Sequence, residues 1–256
     1  MINLKNYNIT LFGDSVPAGI VYEKNKLHRL QKSCVDLVCK HFGIKVTNIS
    51  KYGQTWTRLI EKGMIENYIN KAKKSENNVA VFFMGGNDSD YEWTKVAESP
   101  LTYHPEKTPI DNFKVMLGST IKELQANDIK VMFCDLTPVV SHQYVDNVIS
   151  KLADKTKVME FLHNDIDNVF RHQALYSSFI TQYAELNKCT MINVREHFLK
   201  NKNYGKYLCS DGIHPNKAGH KLIAKAAIKQ ITQHLKTKKA KNEIKLSSLC
   251  EQTQVV

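Results

Sequence analysis

The sequence predicts an α/β domain of three layers, with a flavodoxin-like, doubly wound parallel sheet of about five strands between layers of helices. Short runs of β-branched and aromatic residues alternate with longer runs of helical period along the whole chain. The strand-like runs are almost continuously apolar, as parallel strands buried on both faces are. Right-handed crossovers then place the helices on both faces of the sheet.

Five short runs are predicted to form the strands, because each is rich in β-branched or aromatic residues and is bounded by residues that break regular structure. They are residues 7–12, 45–50, 79–84, 129–135 and 189–194. Five helices are predicted from apolar residues at helical spacing. They cover roughly residues 21–41, 57–74, 109–127, 157–187 and 216–235.

The chain is predicted to form one domain, since no internal repeat or low-complexity linker interrupts this alternation. We expect the domain to span residues 1–236 and a basic, flexible tail to follow over residues 237–256. Two segments between predicted elements are long, residues 88–108 and residues 139–156. Loops of this length in a compact domain are usually functional or mobile. Whether either segment covers a binding site as a lid stays open.

The 256-residue chain is basic, with a net charge of +11. Much of the excess lies in two lysine clusters, around residues 71–74 and 236–241, which we interpret as solvated surface. No aromatic residues alternate with arginines as they do in nucleic-acid grooves. We therefore expect no nucleic-acid partner.

The sequence favours a cytoplasmic location. No apolar run approaches the ~20 residues that a membrane-spanning helix needs. The chain passes almost directly into its first predicted strand, without a signal peptide. The cysteines lack the close pairs typical of zinc sites, so we expect free thiols in a reducing compartment. They are Cys34, Cys39, Cys134, Cys189, Cys209 and Cys250.

Four short motifs follow predicted strands. GDSVPAG (13–19) follows the first strand, KYGQT (51–55) the second and GGND (85–88) the third, while DGIHP (211–215) comes after the fifth strand and a long loop. Each motif alone is a common turn or helix entrance. In an open α/β sheet, however, ligands bind beyond the carboxyl ends of the strands, where the four motifs would converge.

The four motifs contain the residue types that acyl transfer needs. Ser15 lies in a strand-to-helix turn and is the candidate nucleophile, which needs a base such as His214. Asp211, three residues before that histidine, would hold the other ring nitrogen. The backbone N–H groups of Ser15 and Gly53 and the side-chain amide of Asn87 are the candidate oxyanion donors.

Two further aspartates, Asp14 and Asp88, stand beside the motif residues. They could support the site by fixing the first turn and Asn87. They could equally make only local Asx hydrogen bonds. The sequence leaves both interpretations open.

These motifs resemble those of the SGNH (GDSL-type) hydrolase superfamily, which includes lipases and acylhydrolases. The Ser, Gly, Asn and His motifs of that superfamily match Ser15, Gly53, Asn87 and His214, with Asp211 as the acid. GDSV replaces the commoner GDSL. The resemblance implies a three-layer α/β/α domain, a serine hydrolase mechanism with no metal or other cofactor, and ester or thioester substrates.

The resemblance, which covers residues 11–220, leaves the substrate open. We expect an esterase for short acyl groups, such as acetyl on a carbohydrate or small alcohol, because the segment 88–108 is polar and aromatic. A lipase, lysophospholipase or thioesterase for longer chains is the alternative, with residues 140–149 as an apolar lid. An acyltransferase, in which a sugar intercepts the acyl-enzyme, is a third hypothesis. The sequence does not predict the oligomeric state.

Two other classes of function are disfavoured. A non-catalytic binding module has no need for an aligned Ser, His and Asp set. Nucleotide binding would need a glycine-rich phosphate loop after the first strand, and the sequence has none there.

Several side chains outside the motifs stay ambiguous. Tyr91 and Trp93 could stack on a sugar or could only fix their loop to the core. His104, in the same segment, is open to substrate contact. The remaining histidines are expected to be surface or packing residues.

Overall fold

The computed structural model describes residues 4–72 and 76–253, with side chains described up to residue 237. Its strands are β1 (Tyr7–Gly13), β2 (Ile20–Glu23), β3 (Lys26–Arg29), β4 (Val46–Asn48), β5 (Asn77–Phe83), β6 (Lys130–Cys134) and β7 (Thr190–Ile192). Five of them form a parallel sheet in the order β4–β1–β5–β6–β7. The predicted flavodoxin-like order is therefore confirmed.

The helices flank this sheet. They are α1 (Cys34–Phe42), α2 (Trp56–Glu61), α3 (Met64–Lys71), α4 (Trp93–Glu98), α5 (Ile110–Ala126), α6 (Ser141–Asn147), α7 (Lys155–Phe161), α8 (Asn168–Leu186), α9 (Arg195–Leu199) and α10 (Lys217–Thr253). Three short 3₁₀ helices lie at Leu4–Asn6, Ile149–Lys151 and Tyr204–Tyr207. None of the helices in the described part of the chain is long and apolar enough to cross a membrane.

Neighbouring residues of the central strands enter opposite hydrophobic cores. Phe12 of β1 and Phe82 of β5 stack with their ring centroids 5.0 Å apart in the core beneath α2, α3, α5 and α8. Leu11 and Phe83 enter the second core, beneath α1, α9 and α10. Successive side chains of a strand point to opposite faces, so continuous apolar runs build the three predicted layers.

A third, smaller core lies over the carboxyl end of the sheet. It joins α4, α6 and α7 through buried side chains that include Trp93, Tyr144 and Val158. The two long segments of the sequence thus contain short helices and pack on each other. Val145 and Ile149, apolar residues of the segment 140–149, are fully buried in this core.

The single helix predicted over residues 21–41 is wrong. Residues 20–29 form an antiparallel hairpin, β2–β3, and α1 begins only after Ser33. Lys24 and Asn25, between the two strands, both have positive φ, at 51° and 59°. A two-residue turn of this kind matches the twist of a hairpin. A capping box between Ser33 and Asp36 then starts the helix.

Two other predicted helices are each divided in two. The helix predicted over residues 57–74 breaks at Gly63, which has a φ of 58° and separates α2 from α3. Residues 73 and 74 lie outside the described residues. The helix predicted over residues 157–187 breaks after α7, where His163 and Asn164 have φ values of 54° and 58°.

The last helix continues beyond its predicted end. It runs from Lys217 to Thr253 and so enters the segment 237–256 that the sequence assigns to a tail. The domain division and the flexibility of that segment stay predictions, and residues 254–256 lie outside the described part of the chain.

The described cysteine side chains are all free, as predicted, whereas Cys250 lies beyond the described side chains. Fully buried His220 has the packing role expected of it, because its Nδ1 accepts a hydrogen bond of 3.1 Å from the backbone N–H of Cys34. Burial lowers the pKa of this imidazole to about 4.

Candidate active site

A cleft of about 1120 Å³ opens at the carboxyl end of the sheet. Ser15 follows β1 and Asn87 follows β5, the two neighbouring strands between which the strand order reverses. Gly53 follows β4 on the other side of β1, and His214 precedes α10. All four residues line the cleft. The fold thus brings the four sequence motifs to one place, at the switch point where open α/β sheets bind ligands.

Ser15, His214 and Asp211 form a hydrogen-bonded series. The Oγ atom of Ser15 lies 3.0 Å from Nε2 of His214, although the two residues are 199 positions apart in the chain. The Nδ1 atom of the same ring lies 2.6 Å from Oδ2 of Asp211. All three residues are at least nine-tenths buried. The distances are those of a nucleophile, a base and a carboxylate that orients the base.

Hydrogen bonds within the turn from Asp211 to His214 fix its backbone. The second carboxylate oxygen of Asp211, Oδ1, accepts hydrogen bonds from the backbone N–H groups of Ile213 and His214, at 3.2 and 3.1 Å. Gly212, directly after Asp211, has a φ of 72°, and an added Cβ atom would lie 2.6 Å from the carbonyl oxygen of Val140. The spacing Asp-x-x-His therefore lets one carboxylate fix both the backbone and the imidazole.

The turn that carries the serine is equally constrained. A Cβ atom on Gly13 would lie 2.2 Å from Cγ of Pro17. Only glycine at this position therefore lets the end of the strand come so close to the turn. Oδ1 of Asp14 accepts a hydrogen bond of 3.0 Å from the backbone N–H of Val16. Burial raises the pKa of Asp14 to about 6, against the opposing influence of this bond and of His214. Asp14 therefore stabilises the turn around Ser15.

Two of the three candidate oxyanion donors, Gly53 and Asn87, come from linked turns. Gly53 has a φ of 66°, and its carbonyl oxygen accepts a hydrogen bond of 2.8 Å from Nη1 of Arg58. The side-chain amide of Asn87 donates to the backbone carbonyl of Gln54 at 3.1 Å. This bond ties the turn after β5 to the turn after β4. Both donors are thereby held in one unit beside Ser15.

Asp88 lies behind the cleft rather than in its lining. It is fully buried, and its Oδ1 accepts a hydrogen bond of 2.7 Å from the backbone N–H of Trp56, the first residue of α2. Its carbonyl oxygen accepts from the N–H of Thr108, which closes the segment 88–108. Asp88 thus joins the position after Asn87 to the helix that follows Gly53.

Buried Asp88 makes stability depend on pH. Burial raises the pKa of its carboxyl group from 3.8 to about 7, so the folded chain keeps this proton over a range where the unfolded chain has lost it. The free energy of unfolding contributed by this group therefore falls as the pH rises from 3.8 to about 7. We expect Asp88→Asn, whose amide oxygen can still accept from Trp56, to flatten that fall. Urea denaturation at several pH values measures it.

The matched control for this comparison is Asp111→Asn, which neutralises an exposed carboxylate on α5. It should leave the pH dependence of unfolding close to that of the wild type. A pH dependence for Asp88→Asn that equals that of the wild type would contradict the prediction.

We expect the side-chain amide of Asn87 to raise kcat. Asn87→Ala should lower kcat about 100- to 1000-fold with little change in KM, because the lost donor acts on the charge that develops in the transition state. Ser89→Ala is the control, since Ser89 also lines the cleft and its Oγ donates to the carbonyl of Gly86 in the same turn. The measurement is kcat and KM of both variants on one ester. Equal losses in both variants would mean that Asn87 only shapes the turn.

Tyr91 and Trp93 of the segment 88–108 are held by the protein and also line the cleft. The indole N–H of Trp93 donates to Oδ1 of Asp90 at 2.8 Å, and the ring is 5% exposed. The ring of Tyr91 stacks on that of His172, with centroids 5.3 Å apart. His104 is held by the carbonyl of Ser99 at 2.9 Å and is not part of the cleft lining.

Sequence reasoning missed several residues of the cleft. Nε2 of His172 lies 3.1 Å from a carboxylate oxygen of Glu106 and 3.2 Å from the hydroxyl of Tyr91, so α8 is joined to both ends of the segment 88–108. Tyr52, next to Gly53, lies over the ring of His214. Glu106, His172 and Tyr91 belong to no motif, whereas Tyr52 stands in the motif KYGQT (51–55), where its place beside Gly53 was a local signal. No group of His, Cys, Asp or Glu in the described residues could hold a metal ion.

Comparisons with known proteins identify a family and similar folds. A model of the GDSL-like lipase/acylhydrolase family matches residues 11–222. A search of curated proteins finds no match. Among solved structures, a lipase/acylhydrolase from Enterococcus faecalis is similar with a TM-score of 0.57 at 18% identity, over 89% of this chain and 96% of that chain.

Two other solved structures show the same fold. The acetylxylan esterase Axe2 from Geobacillus stearothermophilus has a TM-score of 0.58 at 18% identity, over 88% of this chain and 93% of that chain. LAE5, an alpha/beta hydrolase enzyme from the metagenome of Lake Arreo in Spain, has a TM-score of 0.59 at 16% identity, over 87% and 94%. The family match extends over most of the sequence and includes all four motifs. The chain is a carboxylic ester hydrolase that belongs to the GDSL-like lipase/acylhydrolase family.

Proposed function

We propose that this hydrolase cleaves esters of short acyl groups, acetyl first among them, carried by a carbohydrate or another polar alcohol. We further propose that Ser15 is its nucleophile, His214 its general base and Asp211 the carboxylate that orients the base. The observation that carries the proposal is the hydrogen-bonded series of these three side chains, with distances of 3.0 and 2.6 Å, at the edge of a large cleft.

The chemistry follows from that geometry. Oγ of Ser15 attacks the acyl carbonyl carbon while Nε2 of His214 takes the serine proton. The oxyanion is stabilised by the N–H groups of Ser15 and Gly53 and by the amide of Asn87. The intermediate collapses to an acyl-serine, and the imidazolium gives its proton to the departing alcohol. Water then attacks the acyl-serine, His214 takes a proton from it, and the acid leaves as the proton returns to Oγ.

The lining of the cleft favours a polar alcohol. The cleft lining includes charged side chains on the segment 88–108 and on α8, among them Glu106, Lys107 and Arg171. Tyr91 and Trp93 lie beside them. Hydroxyl groups of a sugar can bond to such charges while its apolar face covers a ring. One similar structure is that of an acetylxylan esterase, at an identity of only 18%.

A second candidate substrate is an ester of a longer acyl chain. Leu152 and Leu175 line the cleft and are 61% and 40% exposed. They offer apolar surface that an acyl chain could cover. Against this alternative, Val145 and Ile149 of the segment 140–149 are fully buried in their own core, so these two side chains offer no apolar surface to the cleft.

The deciding experiment measures kcat/KM for 4-nitrophenyl esters from acetate to dodecanoate and for acetylated xylobiose. We expect the highest value on acetate among the aryl esters, together with acetate release from the sugar. A maximum at octanoate or longer would favour the alternative substrate class. Release of free acid, measured against acyl transfer to added xylose, separates hydrolysis from transfer in the same assay.

A further inference from the structure

An exposed aromatic side chain lies against the candidate base. The ring of Tyr52 stacks on the imidazole of His214, with centroids 6.2 Å apart and planes 17° from parallel. Tyr52 also lines the cleft, and it is 60% exposed while His214 is 4% exposed. One face of the tyrosine ring therefore covers the base and the rest of the ring is open to the cleft.

The backbone of Tyr52 is fixed by its neighbours. The N–H of Lys51 donates to the carbonyl of Gly13 at 3.0 Å, and the N–H of Gln54 donates to the carbonyl of Lys51 at 3.2 Å. The same turn carries Gly53. The phenol hydroxyl of Tyr52 makes no hydrogen bond to the side chains or backbone that the structure describes. These bonds fix the backbone from which the ring projects, and the hydroxyl end of the ring is open to a ligand.

The position of the ring relates it to the alcohol part of the ester. In the proposed reaction, Nε2 of His214 delivers the proton to the departing alcohol oxygen, so the alcohol must lie beside this imidazole when the bond breaks. The ring that flanks the imidazole on its open side then flanks the alcohol as well. The acyl group, by contrast, lies towards Ser15 and the oxyanion donors.

We propose that Tyr52 determines specificity for the departing alcohol by stacking on alcohols that contain a ring, a sugar ring above all. The inference rests on the proposed function for the roles of Ser15 and His214, and it adds the side of the substrate that Tyr52 recognises. The apolar face of a sugar ring packs on the aromatic ring, and the free phenol hydroxyl can bond to a sugar hydroxyl.

A purely structural role for Tyr52 makes a different prediction. If the ring only shields His214, its removal changes the base equally for esters whose alcohols depart equally well. The ratio between two such esters of the same acid then stays constant. If the ring stacks on the alcohol, the ratio between a ring-bearing and a ring-free alcohol falls.

The test uses three acetates, those of xylobiose, benzyl alcohol and ethanol, with wild type, Tyr52→Leu and Tyr52→Phe. Benzyl alcohol carries a ring and departs about as readily as ethanol. The ratios of kcat/KM for the xylobiose and benzyl esters to that for ethyl acetate should fall about three- to tenfold in Tyr52→Leu, the size of one lost stacking contact. Tyr52→Phe should keep the benzyl ratio. Tyr103→Leu, which removes an 83% exposed tyrosine outside the cleft lining, is the control and should change neither ratio.

The outcomes separate the inference from the proposed function. Unchanged ratios in Tyr52→Leu overturn the inference, whether the absolute rates fall together or stay the same. If the wild type does not cleave acetylated xylobiose but the benzyl ratio still falls in Tyr52→Leu, the carbohydrate substrate is wrong and the stacking role stands. A fall in both ratios supports the inference and the carbohydrate substrate together.

Discussion

Ser15→Ala is expected to abolish ester hydrolysis, with a loss in kcat of about a millionfold, as removal of the nucleophile from a comparable triad gives. Without Oγ there is no acyl-enzyme, and Nε2 of His214 loses its 3.0 Å partner. The remaining rate would come from the oxyanion donors and from bound water. The measurement is hydrolysis of 4-nitrophenyl acetate, with circular dichroism and thermal unfolding to show that the variant is folded.

The same prediction can be tested on the wild-type protein. An aryl phosphate ester that phosphorylates active-site serines should inactivate the enzyme and modify the peptide that contains Ser15, as mass spectrometry would show. Cys34 is a poor rival nucleophile, because burial raises the pKa of its thiol to about 12. A Ser15→Ala variant within about tenfold of the wild-type rate, or a label on another residue, would contradict the assignment.

The fold was predictable because parallel strands buried on both faces have a signature that does not depend on distant contacts. Each of the five strands is short, apolar and bounded by breakers, and their alternation with helices leaves few topologies. The divided helices were not predictable in this way. On both sides of Gly63 the apolar residues face the same core, so the apolar pattern gives no sign of the break. At His163 the nearest apolar residues, among them Leu162 and Val169, also share one core, although the rest of α8 packs in another.

The candidate site was predictable where its parts are local. Asp211 and His214 are three residues apart, and one turn brings carboxylate and imidazole together. The bond from Asn87 to the carbonyl of Gln54 joins positions that are 33 residues apart, and no local pattern encodes it. The pair of Glu106 and His172 likewise depends on how the segment 88–108 folds back onto α8. Long-range contacts of this kind require the tertiary structure.

Asp211→Asn is the second variant with a large expected effect, a loss in kcat of about 10⁴-fold near neutral pH. The carboxylate has two tasks, since Oδ1 accepts from two backbone N–H groups and Oδ2 lies 2.6 Å from Nδ1 of His214. In asparagine the amide oxygen can keep the backbone bonds, which leaves the NH₂ group facing Nδ1. An NH₂ group there favours the tautomer with its proton on Nε2, and that nitrogen can no longer accept a proton from Ser15.

The control applies the same chemical change to an aspartate whose bonds go only to backbone. Asp154 caps α7 by accepting from the N–H groups of Thr156 and Lys157, and Asp154→Asn should retain the wild-type kcat. Because asparagine also caps turns and helices well, both variants should unfold close to the wild-type temperature. If kcat falls by less than about tenfold in Asp211→Asn, this carboxylate only stabilises the turn. A large loss in a stable variant is the combination that a capping role alone does not produce, so it would assign the orientation of His214 to Asp211.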